Sequence, residues 1–120
     1  MNKNKQKLNI LALDVDGVLT DGTITYEHNT YKEIKQFHVH DGQGISVWLN
    51  AGFEVILISG RKSELVDFRA KELGIKYVYQ GSKDKILDLE KALSIIGSTS
   101  ENVIFVGDDI GDIKVMQYCA

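Results

Sequence analysis

The stretch Leu8–Gly22, LNILALDVDGVLTDG, sets the terms for the whole chain. It opens with an apolar run that alternates poorly and is rich in Ile and Leu, which reads as a buried parallel strand, and the run ends in Asp14 and Asp16. Two carboxylates at the end of a buried strand repel each other and lose hydration, so the pair requires a metal or basic partners. Gly17 permits a sharp turn, and Thr20, Asp21 and Gly22 add turn chemistry. On its own, DxDG reads better as a strand followed by an Asp-Gly hairpin turn, since Asp and Gly are common wherever strands end. The remainder of the chain decides between the two.

Thr23–Tyr26 and Tyr31–His38 are β-prone runs around Glu27-His28-Asn29-Thr30, and they predict a hairpin that hangs over the acidic pair. Asp41-Gly42-Gln43-Gly44 precedes a short helix carrying Ile45, Val47, Trp48 and Leu49, ended by Gly52. Phe53–Ile58 predicts a second buried strand, closed by Ser59-Gly60-Arg61. A helix over Lys62–Leu73 keeps Val66, Ala70 and Leu73 on one face and stops at Gly74. Lys76–Tyr79 is a third, shorter strand; Lys83–Ile96 is a helix with Ile86, Leu89, Leu93 and Ile96 on one side, stopped by Gly97. Val103–Val106 is wholly apolar, so it predicts a fourth strand buried on both faces with partners on both sides, followed by GDDIGD (107–112) and a helical stub.

Strand and helix alternate after the hairpin, which predicts an α/β fold: a mostly parallel sheet with helices on both faces and a β-hairpin flap after strand one. In such sheets ligands bind outside the carboxyl ends of the strands. Asp14 and Asp16 follow strand one, Ser59 and Arg61 strand two, Lys83 and Lys85 strand three, and Asp108, Asp109 and Asp112 strand four. Five aspartates, a hydroxyl and two lysines on one edge make a hard-oxygen site that suits magnesium, with no thiolate or imidazole cluster for zinc. One carboxylate facing Mg²⁺ can attack phosphorus, and the second, two residues on, can protonate the leaving alkoxide and then activate water. Lys83 and Lys85 stand at a helix N-terminus, where the dipole disfavours cations, so a nearby anion accounts for them. Lys83 reads equally well as a solvated surface residue.

Net charge is −3 with no basic stripe, which gives no footprint for nucleic acid, and the Lys-rich start MNKNKQK reads as a frayed terminus. Ile10–Leu13, interrupted by Asp14, is too short for a signal-peptide core or a membrane span. Cys119 is the single cysteine, so no disulfide forms within the chain and a reducing cytoplasm is the expected location. The chain has twelve lysines but only two arginines, Arg61 and Arg69. Arg61 beside Ser59 suggests planar, bidentate recognition, as of a substrate carboxylate, whereas Arg69 reads as a surface residue in mid-helix. His38 and His40, two apart on a strand, read as a hairpin base, Trp48 as core or interface packing, and Gly81 as a turn ahead of the Lys85 helix.

The order DVDGVLTDG, SGR, DK, GDDIGD resembles the haloacid dehalogenase superfamily of phosphotransferases, and more narrowly its capless branch, typified by 3-deoxy-D-manno-octulosonate 8-phosphate phosphatases. The resemblance runs from about Leu8 to Met116 and includes EIKQFHVHDGQGI and YQGSKDK. It implies a Rossmann-like fold and a Mg²⁺-dependent phosphomonoesterase acting through an aspartyl-phosphate on a small phosphorylated sugar acid, in lipopolysaccharide precursor synthesis. On it, Asp14 is nucleophile and metal ligand, and Asp16 is the acid/base that also binds metal through its backbone carbonyl. Ser59 and Lys85 hold the phosphate, Asp108 is the metal carboxylate, and Asp109 and Asp112 orient water and Lys85. Arg61, Gly60, Lys35, Asp41 and Gly42 are the candidate substrate contacts. The family usually has Arg where His40 stands, and it continues through another strand and a glycine-rich tail that reaches a neighbouring subunit. The expectation is therefore one capless domain that lacks that strand and associates, as a homotetramer by resemblance or through an open sheet edge. Other readings are a phosphatase for another sugar phosphate, a phosphatase-like module of sialic-acid activation, or a weakly active remnant serving as a binding or assembly module.

Overall fold

The computed structural model describes residues 7–120, so all but the last residue of the Lys-rich start lies outside the described residues. Its order is β1 (Ile10–Leu13), β2 (Thr25–Tyr26), β3 (Glu33–Ile34), α1 (Val39–Asn50), β4 (Glu54–Ile58), α2 (Glu64–Leu73), β5 (Tyr77–Tyr79), α3 (Lys85–Ile96), β6 (Val103–Val106) and α4 (Ile113–Tyr118). Four strands form one parallel sheet in the order β5-β4-β1-β6, and β2 pairs antiparallel with β3 as a separate hairpin. Ile10 stands opposite both Glu54 and Val103, and Leu13 opposite both Leu57 and Val106, so three strands finish level with one another.

The apolar runs of β1 and β4 are explained by two covered faces. Ile10, Ala12, Ile56 and Ile58 point one way, onto Leu89, Ala92 and Leu93 of α3 and Val115 of α4. Leu13, Val55 and Leu57 point the other way, onto Ile45 of α1 and Val66 and Ala70 of α2. This is the α/β sandwich that the alternation predicts. Trp48 packs into the second cluster, donating from Nε1 to the Glu54 carbonyl at 2.8 Å.

Several local expectations are corrected. Helix α1 begins at Val39, before Asp41-Gly42-Gln43-Gly44 rather than after it, because the His38 ring caps it by accepting from the His40 N–H at 3.0 Å. His38 and His40 are therefore a helix start, not a strand pair. Gly42 is buried inside α1, where an added Cβ would meet the Arg69 guanidinium and Leu73. Arg69 accordingly lies against α1, 5.8 Å over the Phe37 ring, instead of in open solvent. Helices α2 and α3 each start two residues later than the apolar period suggests, at the side-chain caps Ser63 and Asp84. The hairpin strands shrink to two residues each, since Glu27 takes up the N–H groups of Asn29 and Thr30 to organise the turn. Strand β6 has β1 on one side and no second strand neighbour among the described residues, in line with the expected open sheet edge; Val103 is buried in the cluster with α3 and α4, and Val106 is 40% exposed.

Candidate active site

The site is built where β1, β4 and β6 end. Asp14 directly follows β1, its N–H continuing the ladder to the Val106 carbonyl at 3.0 Å and its Oδ1 accepting from the Val15 N–H at 2.8 Å. The chain then winds into a single turn, with the N–H groups of Val18, Leu19 and Thr20 converging on the Val15 carbonyl. Gly17 is at φ +82°, and a Cβ there would overlap the Asp108 carboxylate, so glycine is required both for the turn and for the close approach of the loop after β6.

Ser59 follows β4 and is buried, tied by its N–H to Tyr79 and by its carbonyl to the Ser82 N–H, both at 2.9 Å. The Ser82–Asp84 turn leads into α3, whose first residue is Lys85. Lys85 Nζ stands 3.5 Å from Asp14 Oδ2 and bonds Asp112 Oδ1 directly. Asp112 is fully buried, and its Oδ2 accepts from the Asp109 N–H at 3.2 Å; the Asp109 carboxylate in turn accepts from the Ile110 N–H at 2.7 Å. The loop after β6 thus folds so that Asp112 faces inward and Asp108 faces Gly17.

Asp14, Asp108 and Asp112 each present an oxygen to one point, the three lying within 4.8 Å of one another. Burial is the main reason the Asp14 carboxyl is pushed above its ordinary pKa; the Val15 N–H and Lys85 oppose the shift, and Asp112 and Asp108 add to it. Lys85 meets two of the three carboxylates, Asp14 and Asp112, and Asp108 has no ion-pair partner among the described residues, which leaves negative charge uncompensated in a partly buried place. A divalent cation fits that deficit, and all-oxygen donors suit magnesium better than zinc. Asp14, Asp108 and Lys85, with Asp16, Ser59, Gly60, Arg61 and Asp109, line a cleft of about 340 Å³, and Asp112 lies buried behind them.

The other candidates divide. Asp16 lines the same cleft as Asp14 and holds its carboxylate 2.7 Å from Lys35 Nζ and 4.0 Å from Arg61 Nη1. Lys35, its side chain 3% exposed, reaches the site through Asp16 and through Glu33 rather than directly. Asp41 and Gly42 are not brought to the carboxylates. Asp41 lines a second cleft, of about 460 Å³, with His38 and His40, and Gly42 is packed within α1 beside Arg69. Lys83 is exposed and makes no ion pair among the described residues. The residue that sequence reasoning missed is Glu33, which bonds Arg61 Nη2 at 3.0 Å and faces Lys35 Nζ at 2.8 Å. Its spacing of two from Lys35 on extended chain, which puts both on one side, was the available signal.

No family model matches the chain. It is 44% identical over 112 residues to the 3-deoxy-D-manno-octulosonate 8-phosphate phosphatase KdsC of Escherichia coli K12, covering 93% of this chain and 59% of that relative. Among solved structures, it superposes with TM-score 0.90 and 37% identity on the Moraxella catarrhalis 3-deoxy-D-manno-octulosonate 8-phosphate phosphatase in complex with magnesium, phosphate and KDO, over 95% of this chain and 65% of that one. A HAD superfamily (subfamily III A) hydrolase from Legionella pneumophila gives TM-score 0.90 at 34% identity, over 95% of this chain and 62% of that one.

Proposed function

We propose that this chain is a haloacid dehalogenase-superfamily enzyme, a Mg²⁺-dependent phosphomonoesterase for a small phosphorylated sugar acid, with 3-deoxy-D-manno-octulosonate 8-phosphate as substrate, a reading supported by its likeness to the relatives above. The observation that carries this reading is the convergence of Asp14, Asp108, Asp112 and Lys85 at the ends of β1 and β6 and the start of α3. The chain spans less than two thirds of its relatives' length, so the activity is assigned from this shared part.

Asp14 and Asp108 would hold the magnesium, with the Asp16 backbone carbonyl as a further ligand by resemblance and Asp112 beside them orienting Lys85, and the metal would offset charge on the transferring phosphoryl group. Ser59 and Lys85 bind that group and orient it toward Asp14. Asp14 attacks phosphorus to form an acyl phosphate as the phosphorus–oxygen bond to the sugar breaks, and Asp16 gives its proton to the departing sugar oxygen. Asp16 then takes a proton from water as the water oxygen attacks phosphorus, which releases phosphate and restores Asp14. Arg61, half-exposed at the cleft mouth, supplies planar donors for the sugar carboxylate.

We also assign the chain to the cytoplasm and to a homo-oligomer, a tetramer by resemblance. Among the described residues no helix is long and apolar enough to cross a membrane. The oligomer is supported by the hairpin, which holds out Ile24, Tyr26, Ile34 and, at 77% exposure, Tyr31. Phosphate release from a panel of sugar phosphates, with Mg²⁺ and with EDTA, tests the assignment. Turnover of the octulosonate ester only with Mg²⁺, lost by orders of magnitude in Asp14→Asn, is the expected result. Inactivity toward every ester, or activity indifferent to Asp14→Asn, would overturn it.

A further inference from the structure

Glu33 has no part in the chemistry just described, yet it is a mostly buried acid at the edge of the cleft. Its Oε1 faces Lys35 Nζ at 2.8 Å and its Oε2 accepts from Arg61 Nη2 at 3.0 Å. Lys35 reaches Asp16 at 2.7 Å, and Arg61 Nη1 comes to 4.0 Å from the other Asp16 oxygen. Two acids and two bases thus close a ring that joins β3, the turn after β1 and the turn after β4. A two-stranded hairpin with two residues per strand has little stability of its own, so this ring is its polar attachment to the sheet edge.

The members of the ring differ in one respect. Lys35, Glu33 and Asp16 are mostly enclosed, whereas Arg61 is 43% exposed and lines the cleft. A guanidinium carries five N–H donors in a rigid plane, and Glu33 engages only one end of it. The remaining donors are free to meet an anion while the plane is already held. An unheld arginine on a loop would lose far more side-chain freedom on binding.

We propose that Glu33 is a positioning residue for substrate choice: by fixing the plane of Arg61, it makes the cleft prefer phosphate esters that carry a second, carboxylate anion. The proposal rests on the reading of Arg61 as the carboxylate contact. A rival role for the same contact is that Glu33 occupies the place of the substrate carboxylate and competes with it. The two roles predict opposite signs.

The test is steady-state kinetics of Glu33→Gln, Arg61→Lys and the double variant on 3-deoxy-D-manno-octulosonate 8-phosphate and on p-nitrophenyl phosphate. Removing the charge of Glu33 should raise KM for the sugar acid so that its kcat/KM, relative to the aryl ester, falls roughly tenfold. The double variant should lose little beyond Arg61→Lys, since both changes act through one guanidinium. Should Glu33→Gln fail to fold, Glu33→Asp, which keeps the charge but shortens the reach, should show the same change of preference to a lesser degree. An equal loss on both substrates, no change on either, or a lower KM for the sugar acid overturns the proposal. If Arg61→Lys discriminates and Glu33→Gln does not, this inference alone falls. If Arg61→Lys treats both esters alike, the reading of Arg61 falls and takes the inference with it.

Discussion

At the scale of single residues, the charge state of Asp14 connects fold and function. Burial raises its pKa, so without metal the folded chain binds a proton there at pH values where the unfolded chain has released it. The stability this proton contributes is fully present below the unfolded pKa and is lost as pH rises through the folded one. In EDTA, therefore, the Tm of the wild type should fall more steeply than that of Asp14→Asn as pH rises above the ordinary aspartate range and through the raised pKa of Asp14. If Asp14 holds the metal as proposed, saturating Mg²⁺ should flatten the difference. Parallel Tm curves for the two proteins in EDTA would contradict the burial argument. Asp14, Ser59, Lys85 and Asp108 were legible in the sequence because each follows a strand end or opens a helix, places that the topology alone assembles. Glu33 was not, because Arg61, 28 residues on, meets it only once the hairpin folds back onto the sheet edge, and the spacing of two from Lys35 alone does not point to the site.

At the scale of elements, the strongest signals were the apolar runs and the glycines that end α2 and α3, and the ranges of β6 and of both helix C-termini agree with the sequence. Helix starts were less legible, since they depend on which side chain wins the cap. Ser63 and Asp84 cap by accepting from backbone N–H groups at 3.2 and 3.1 Å, which the apolar period does not register. The start of α1 was misread because Gly42 and Gly44 look like breakers, although one is needed to admit Arg69 and the other meets nothing. That contrast is testable. Gly44→Ala should stabilise the chain by about 0.5–1 kcal/mol, because the site is open and helical and the change removes only backbone freedom. Thermal or denaturant unfolding that shows a loss instead would mean that α1 does not extend through this position.

At the scale of the whole molecule, the sheet is the instrument that gathers the site. Leu13, Leu57 and Val106 lie level across three parallel strands, so residues distant in the chain open onto one cleft, and α3 adds Lys85 from below the same edge. The central claim is that this edge performs phosphoryl transfer through Asp14. The most direct measurement is to quench the protein with borohydride during turnover of 3-deoxy-D-manno-octulosonate 8-phosphate and to map the reduced residue by mass spectrometry. An acyl phosphate reduces to an alcohol, so the peptide containing Asp14 should carry homoserine at that position, only when Mg²⁺ and substrate are both present. Full turnover with Asp14 unmodified, or reduction at another acid, would contradict the account.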